Sequence, residues 1–153
     1  MPPDGSRRST SSTVTSKNPR AGSAISTAGA LDRRSPHRAL WEEPVGWLAT
    51  GRHSFKAQHL ERNPFVSLAY WDQSHEQVYV ECRATWVDDD TERQRLWQLY
   101  ETTPEGYPLA HFFKAPTHPE YGLLRFDPWR IELWNVKELF AGTPPTVWRT
   151  PAH

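Results

Sequence analysis

WLATGRHSFKAQHLERNPFVSLAYW, residues 47–71, is the stretch whose reading decides the fold. It opens on an apolar, β-prone run that ends at Thr50 and Gly51. Ser54 is a natural helix N-cap, because its side-chain oxygen can accept an amide of the first turn. Phe55, Gln58, His59 and Arg62 recur at helical spacings, and Ala57 with Leu60 completes an apolar side. The spacing predicts a helix over 54–63, stopped by Pro64, which disfavours the helical conformation in the residue before it. FVSLAYW, residues 65–71, then reads as a buried strand. The unit is therefore strand, short helix, strand.

The same stretch concentrates Arg52, His53, Lys56 and two hydroxyl side chains around the turn into the helix. Two readings stand side by side on these residues. One is a solvated surface helix with ordinary basic side chains. The other is an anion site, since a helix N-terminus carries amides without intrahelical acceptors and a partial positive charge. Ser54 would add a hydroxyl donor and Lys56 a full charge. Arg38, on a preceding strand, meets the same spot if the strands pair. The phosphate-loop pattern GxxxxGK[ST] is absent.

Working outward, AISTAGA (24–30), HRALW (37–41) and VGWLAT (45–50) read as three short strands, spaced as in an antiparallel meander. Downstream, QVYVECRATWVD (77–88) alternates with period 2, placing Val78, Val80, Cys82, Ala84 and Trp86 on one face. DDDTERQRLWQLYETTP (88–104) is the clearest helix, with Asp89 and Glu92 as a capping box and Leu96, Leu99, Tyr100 and Thr103 on one face. Residues 104–119 read as an irregular aromatic loop with four prolines. YGLLRF (121–126) and WRIELW (129–134) read as two strands separated by Asp127-Pro128, and TVWR (146–149) as a short closing strand. Seven or eight strands with two helices point to a mainly β, antiparallel, closed or partly closed barrel spanning about residues 23–150.

Residues 1–22 are rich in Ser, Thr, Pro and Arg, with too little apolar surface to offset ordering, and are expected to be a disordered basic tail. The chain of 153 residues is formally neutral, which gives no support to nucleic-acid or membrane-surface binding. Its apolar runs fall short of the roughly 20 residues needed to span a bilayer. The single cysteine, Cys82, excludes a disulfide within the chain and suits a reducing cytoplasm. The seven histidines are scattered, so no metal site is expected, and no nucleophile elbow is present. Eight Trp, six Phe and five Tyr supply a core of large side chains, or walls for a flat ligand.

With these residues in place, the chain resembles the pyridoxamine 5′-phosphate oxidase-like family of flavin-binding split barrels. The resemblance runs over about residues 24–149. It rests on the stretch 47–71, on EQVYVECRATWVDD (76–89) with its glutamine, and on DPWRIELW (127–134). It implies FMN held at a homodimer interface, and electron or hydride transfer to an unidentified small substrate. Carried over by position, Arg38 and Lys56 bind the phosphate, helped by Ser54. Thr50 and the backbone of Ala39, Leu40 and Trp41 lie along the ring and ribityl chain. Gln77 hydrogen-bonds the flavin from the partner subunit, Trp134 packs near the cofactor, and Arg149 reaches it or the substrate. No catalytic acid or base is implied. Related split barrels bind a deazaflavin or haem instead, and others are non-catalytic stress or sensor proteins, so these stand as alternatives. The chain departs from the family at Phe55, where an arginine is usual, and with NVKELFAGTPPTVWR in place of the signature that grips pyridoxal phosphate.

Overall fold

The computed structural model describes residues 23–26, 39–71, 75–104 and 106–151. The expected tail, the first strand beyond Ser26, and Arg38 lie outside the described residues. Seven strands form one sheet: β1 (Ser23–Ser26), β2 (Leu40–Glu42), β3 (Val45–Gly51), β4 (Phe65–Trp71), β5 (Glu76–Trp86), β6 (Tyr121–Asn135) and β7 (Thr146–Arg149). Their order is β1-β4-β5-β6-β3-β2, with β7 added on β6. The sheet curls without closing, as in a split barrel. Among the described residues no ladder joins its ends, β1 and β2; the Trp41 indole N–H on β2 donates to the Tyr70 hydroxyl on β4, the neighbour of β1, at 3.0 Å.

Among the described residues four helices accompany the sheet: α1 (Phe55–Arg62), α2 (Asp90–Thr102), α3 (Ala110–Phe113) and α4 (Val136–Phe140). Both expected caps are present. Ser54 accepts from the Ala57 amide and Asp89 from the Glu92 amide.

Three expectations are corrected. The first three strands are not a meander: β1 runs parallel to β4, and only β2 and β3 form an antiparallel pair. The connection from β1 to β4 runs through β2, β3 and α1, long enough for the crossover that a parallel neighbour needs. The two strands expected around Asp127-Pro128 are one, β6. Glu81 pairs with Arg130 and Cys82 with Pro128, so Trp129 is the extra residue of a β-bulge. A bulge absorbs a proline that cannot donate to the ladder, and it bends the strand. Finally, the expected loop at 104–119 contains α3, whose Ala110 amide is bonded by the Glu101 carboxylate at 3.0 Å.

The alternation of β3 and β6 fills two cores, one on each face of the sheet. The inner core gathers Leu48, Leu68, Val80, Cys82, Leu124 and Phe126, with Leu60 from α1. The outer core packs Trp47, Ala49, Tyr121 and Leu123 against Leu96 and Tyr100 of α2 and Leu109 beside α3. β2 is short, so among the described residues β3 has no strand neighbour beyond Trp47 on that side. Two tyrosines fill the gap. The Tyr100 hydroxyl accepts from the Ala49 amide at 3.2 Å and donates to the Trp47 carbonyl at 2.9 Å. The Tyr107 hydroxyl donates to the Ala49 carbonyl at 2.9 Å. Burial pushes the pKa of both phenols up. Among the described residues, no helix is long and apolar enough to cross a membrane.

Candidate functional site

The residues singled out from the sequence fall into two groups. The first sits where β3 hands over to α1. Thr50 is 3% exposed and pairs across the ladder with Gly122 of β6. Gly122 has no room for a side chain: a Cβ there would lie 2.6 Å from the Trp86 ring and 2.9 Å from the Thr50 carbonyl. Trp86 fills that space and holds this corner of the barrel tight. The chain then turns, with the Ser54 amide donating to the Gly51 carbonyl at 3.2 Å, and enters α1. Ser54 takes up the Ala57 amide with its side chain and the Gln58 amide with its carbonyl, so the Phe55 amide opens the helix outside the ladder.

Lys56 follows in the first turn, half-buried. Burial holds its ammonium below the usual lysine range, because water solvates it incompletely. An anion placed beside it would reverse that shift. The donor set is therefore a hydroxyl, a helix N-terminus and a desolvated cation, which is the chemistry a phosphate requires. Phe55, at a position where the family the sequence resembles often has an arginine, is 81% exposed and contributes no charge. Arg52 is not a ready substitute. Its guanidinium lies 4.1 Å from the centre of the Trp86 ring and 3.9 Å from Asp88.

Ala39, Leu40 and Trp41 lie on the sheet's edge strand and the residue before it, where Leu40 pairs with Trp47 and Trp41 with Gly46, toward the other end of β3 from this corner. The Ala39 side chain is buried in the inner core and Leu40 in the outer one. Trp41 lies over Gly46, where a Cβ would meet its ring at 2.9 Å. What this segment offers a ligand is its outer backbone edge, as expected for a strand with one neighbour.

The second group sits on the outward face of β5, β6 and β7. Gln77 is directly opposite Trp134 and, on its other side, Trp71. Two residues along come Tyr79 and Glu132, then Glu81, Arg130 and Arg149. All share one face, since their neighbours Val78 and Ile131 pack on the inner core. Arg130 pairs with Glu132 and lies 3.8 Å from Glu81. The Ser67 hydroxyl, on the same face of β4, is buried without a hydrogen-bond partner. Arg149 is exposed.

The structure brings Gln77, Trp134 and Arg149 onto one surface, and it gathers Thr50, Ser54 and Lys56 at one corner. It does not bring the two groups together. Thr50 faces inward near the start of β6, while Trp134 faces outward twelve residues further on. At roughly 3.3 Å per residue, about 40 Å of strand lies between them. Sequence reasoning missed Tyr79, whose hydroxyl donates to Gln77 Oε1 at 2.7 Å. The signal was present: residues two apart on a strand share a face.

The chain also has relatives. The sequence pattern described as Pyridoxamine 5′-phosphate oxidase matches residues 13–135. Among solved structures, general stress protein 26 from Bacillus anthracis aligns over 74% of this chain and 76% of its own, at 23% identity and a TM-score of 0.56. A pyridoxamine 5′-phosphate oxidase-related, FMN binding protein from Nostoc punctiforme aligns over 76% of this chain and 78% of its own, at 14% identity and a TM-score of 0.50. A heme binding protein from Mycobacterium smegmatis aligns over 74% of this chain and 45% of its own, at 8% identity and a TM-score of 0.50. At these identities the likeness is one of fold. No curated protein matches the chain.

Proposed function

Because the chain belongs to the pyridoxamine 5′-phosphate oxidase family, we propose that it binds FMN as a cytoplasmic homodimer and acts as an oxidoreductase on a small molecule. The observation that carries this reading is the division of the site. One corner of the chain offers phosphate chemistry and a distant face offers an amide beside an indole, and neither is a flavin site alone. Two copies related by a twofold axis hold each half twice, so that two whole sites form at their interface.

In this reading Lys56 and Ser54, with Arg38, hold the phosphate at the start of α1. Thr50 and the outer edge of Ala39, Leu40 and Trp41 line the ribityl chain and ring. From the other subunit, Gln77 donates to the polar edge of the ring, Trp134 supplies an aromatic wall and Arg149 a charge for the substrate. Bound FMN supplies the electron or hydride transfer itself. The protein positions the ring, screens it from water and neutralises its phosphate. The thiol of Cys82 takes no part: it is fully buried in the inner core, and its pKa is raised by that burial.

The visible spectrum of the purified protein, before and after adding FMN, tests this reading. Bands of an oxidised flavin, present on isolation or acquired with FMN, are the expected result. A Soret band would instead favour haem, the ligand of the heme binding protein from Mycobacterium smegmatis. A colourless protein that ignores added FMN would overturn the reading.

A further inference from the structure

We infer that Tyr79 is a positioning residue for the ligand: its hydroxyl fixes the Gln77 side-chain amide in the one orientation that turns both amide hydrogens outward, toward a hydrogen-bond acceptor. The inference rests on the proposal that Gln77 meets the flavin.

The argument starts from the pairing of β5 with β6. Gln77 stands opposite Trp134, and Tyr79 opposite Glu132. These four side chains form a square on the outward face. On β5 the Tyr79 hydroxyl donates to Gln77 Oε1 at 2.7 Å. On β6 the Trp134 indole N–H donates to Glu132 Oε2 at 3.1 Å. Each strand thus uses a donor from one residue to occupy an acceptor two residues away.

The consequence is a polarised surface. A primary amide has one acceptor oxygen and two N–H donors on nitrogen. With its oxygen taken by Tyr79, Gln77 presents its nitrogen. Trp134 has committed its N–H to Glu132, so it offers a ring face and no donor. Gln77 is therefore the donor of this square, matched to a carbonyl oxygen on the edge of a flat ring. Without the Tyr79 hydroxyl, nothing on β5 distinguishes the two flips of the amide. One flip would then set oxygen against oxygen, a repulsive contact in a partly desolvated place.

The test is a double-mutant cycle read by FMN affinity, using flavin fluorescence, with thermal unfolding recorded for each variant. The proteins are wild type, Tyr79→Phe, Gln77→Ala and the double variant. Phe keeps the ring and its packing. Tyr79→Phe is expected to weaken FMN binding about three- to tenfold, the cost of one hydrogen bond. In the Gln77→Ala background it is expected to add nothing, because its effect passes through the amide. The absorption maximum of bound flavin should shift in Tyr79→Phe as it does in Gln77→Ala. An equal loss in both backgrounds would show a merely structural role and overturn the inference. So would unchanged affinity in Tyr79→Phe when Gln77→Ala binds weakly, and this leaves the FMN reading standing. If wild type itself binds no FMN, the functional proposal falls and this inference with it.

Discussion

The two ends of β6 show one strand serving two purposes. From Tyr121 to Phe126 every residue but Arg125 is buried, and the side chains fill both cores in turn. From Ile131 to Asn135 none is fully buried, and Leu133 is 43% exposed. Beside that end lie Val147 and Trp148 of β7 and Leu139 and Phe140 of α4, all exposed. The Trp129 bulge divides the two regimes. The near end is completed by the chain's own helices. The far end is left with exposed apolar side chains on both faces and, on the outward one, an oriented amide. The lesson is that one strand is packed on both faces at one end and left uncovered at the other, so mutations at the two ends should differ in their cost to stability.

The largest expected effect is in the near end. Phe126 is fully buried, so Phe126→Ala should cost about 3–5 kcal/mol in denaturant unfolding. Leu133→Ala, at the exposed end, should cost about 1 kcal/mol or less by the same measurement. Equal costs would break the comparison.

Tyr100→Phe comes next. It removes the hydroxyl that serves both the Ala49 amide and the Trp47 carbonyl, leaving buried backbone groups unpaired. A loss of about 1–3 kcal/mol is expected, with FMN binding retained in the surviving folded protein. The same tyrosine cluster predicts alkaline weakness. Burial raises the pKa of Tyr100, Tyr107 and Tyr121, the last to about 12 against an ordinary value of 10.0. The folded state therefore binds more protons than the unfolded one above that ordinary value. Stability should be fully present below about pH 10 and fall as pH rises toward 12, which urea melts across this range would record.

Lys56→Ala should leave unfolding nearly unchanged and weaken FMN binding at least about tenfold, as expected when a cation is withdrawn from a phosphate. Its pKa gives the sign of a pH dependence. In the free protein burial lowers that pKa, whereas bound phosphate favours the charged form. FMN affinity should thus fall as pH rises through the lowered lysine pKa, and the fall should vanish in Lys56→Ala. An equal pH slope in both proteins would separate Lys56 from the phosphate.

Local chemistry made much of this legible in advance. Ser54, Pro64 and the apolar side of Ala57 and Leu60 placed α1, and the period-2 alternation of residues 77–86 placed β5 with its inner face. What could not be read was set by distant contacts. The partner of β1 is β4, beyond β2, β3 and α1, and no local pattern signals that contact. Pro128 signals a break unless the bulge at the next residue, Trp129, is known. Helix α3 is held by Phe113 against the outer core and by Glu101, not by its own four residues. Helix α4 did carry a local signal, since Asn135 stands three residues before Glu138 and accepts from the Lys137 amide. The candidate site residues were named one by one from the family resemblance. Their division between two surfaces was not, because that depends on inward and outward faces at opposite ends of β6.

The most direct test of this division is subunit complementation. Lys56→Ala and Gln77→Ala chains, each impaired in FMN binding alone, would be co-expressed with different tags and the mixed dimers titrated with FMN. If each site takes its phosphate corner from one chain and its amide face from the other, a random mixture should recover tight binding at about one site in four, all of it in the mixed dimers. A mixture that stays as weak as its parents would contradict the account.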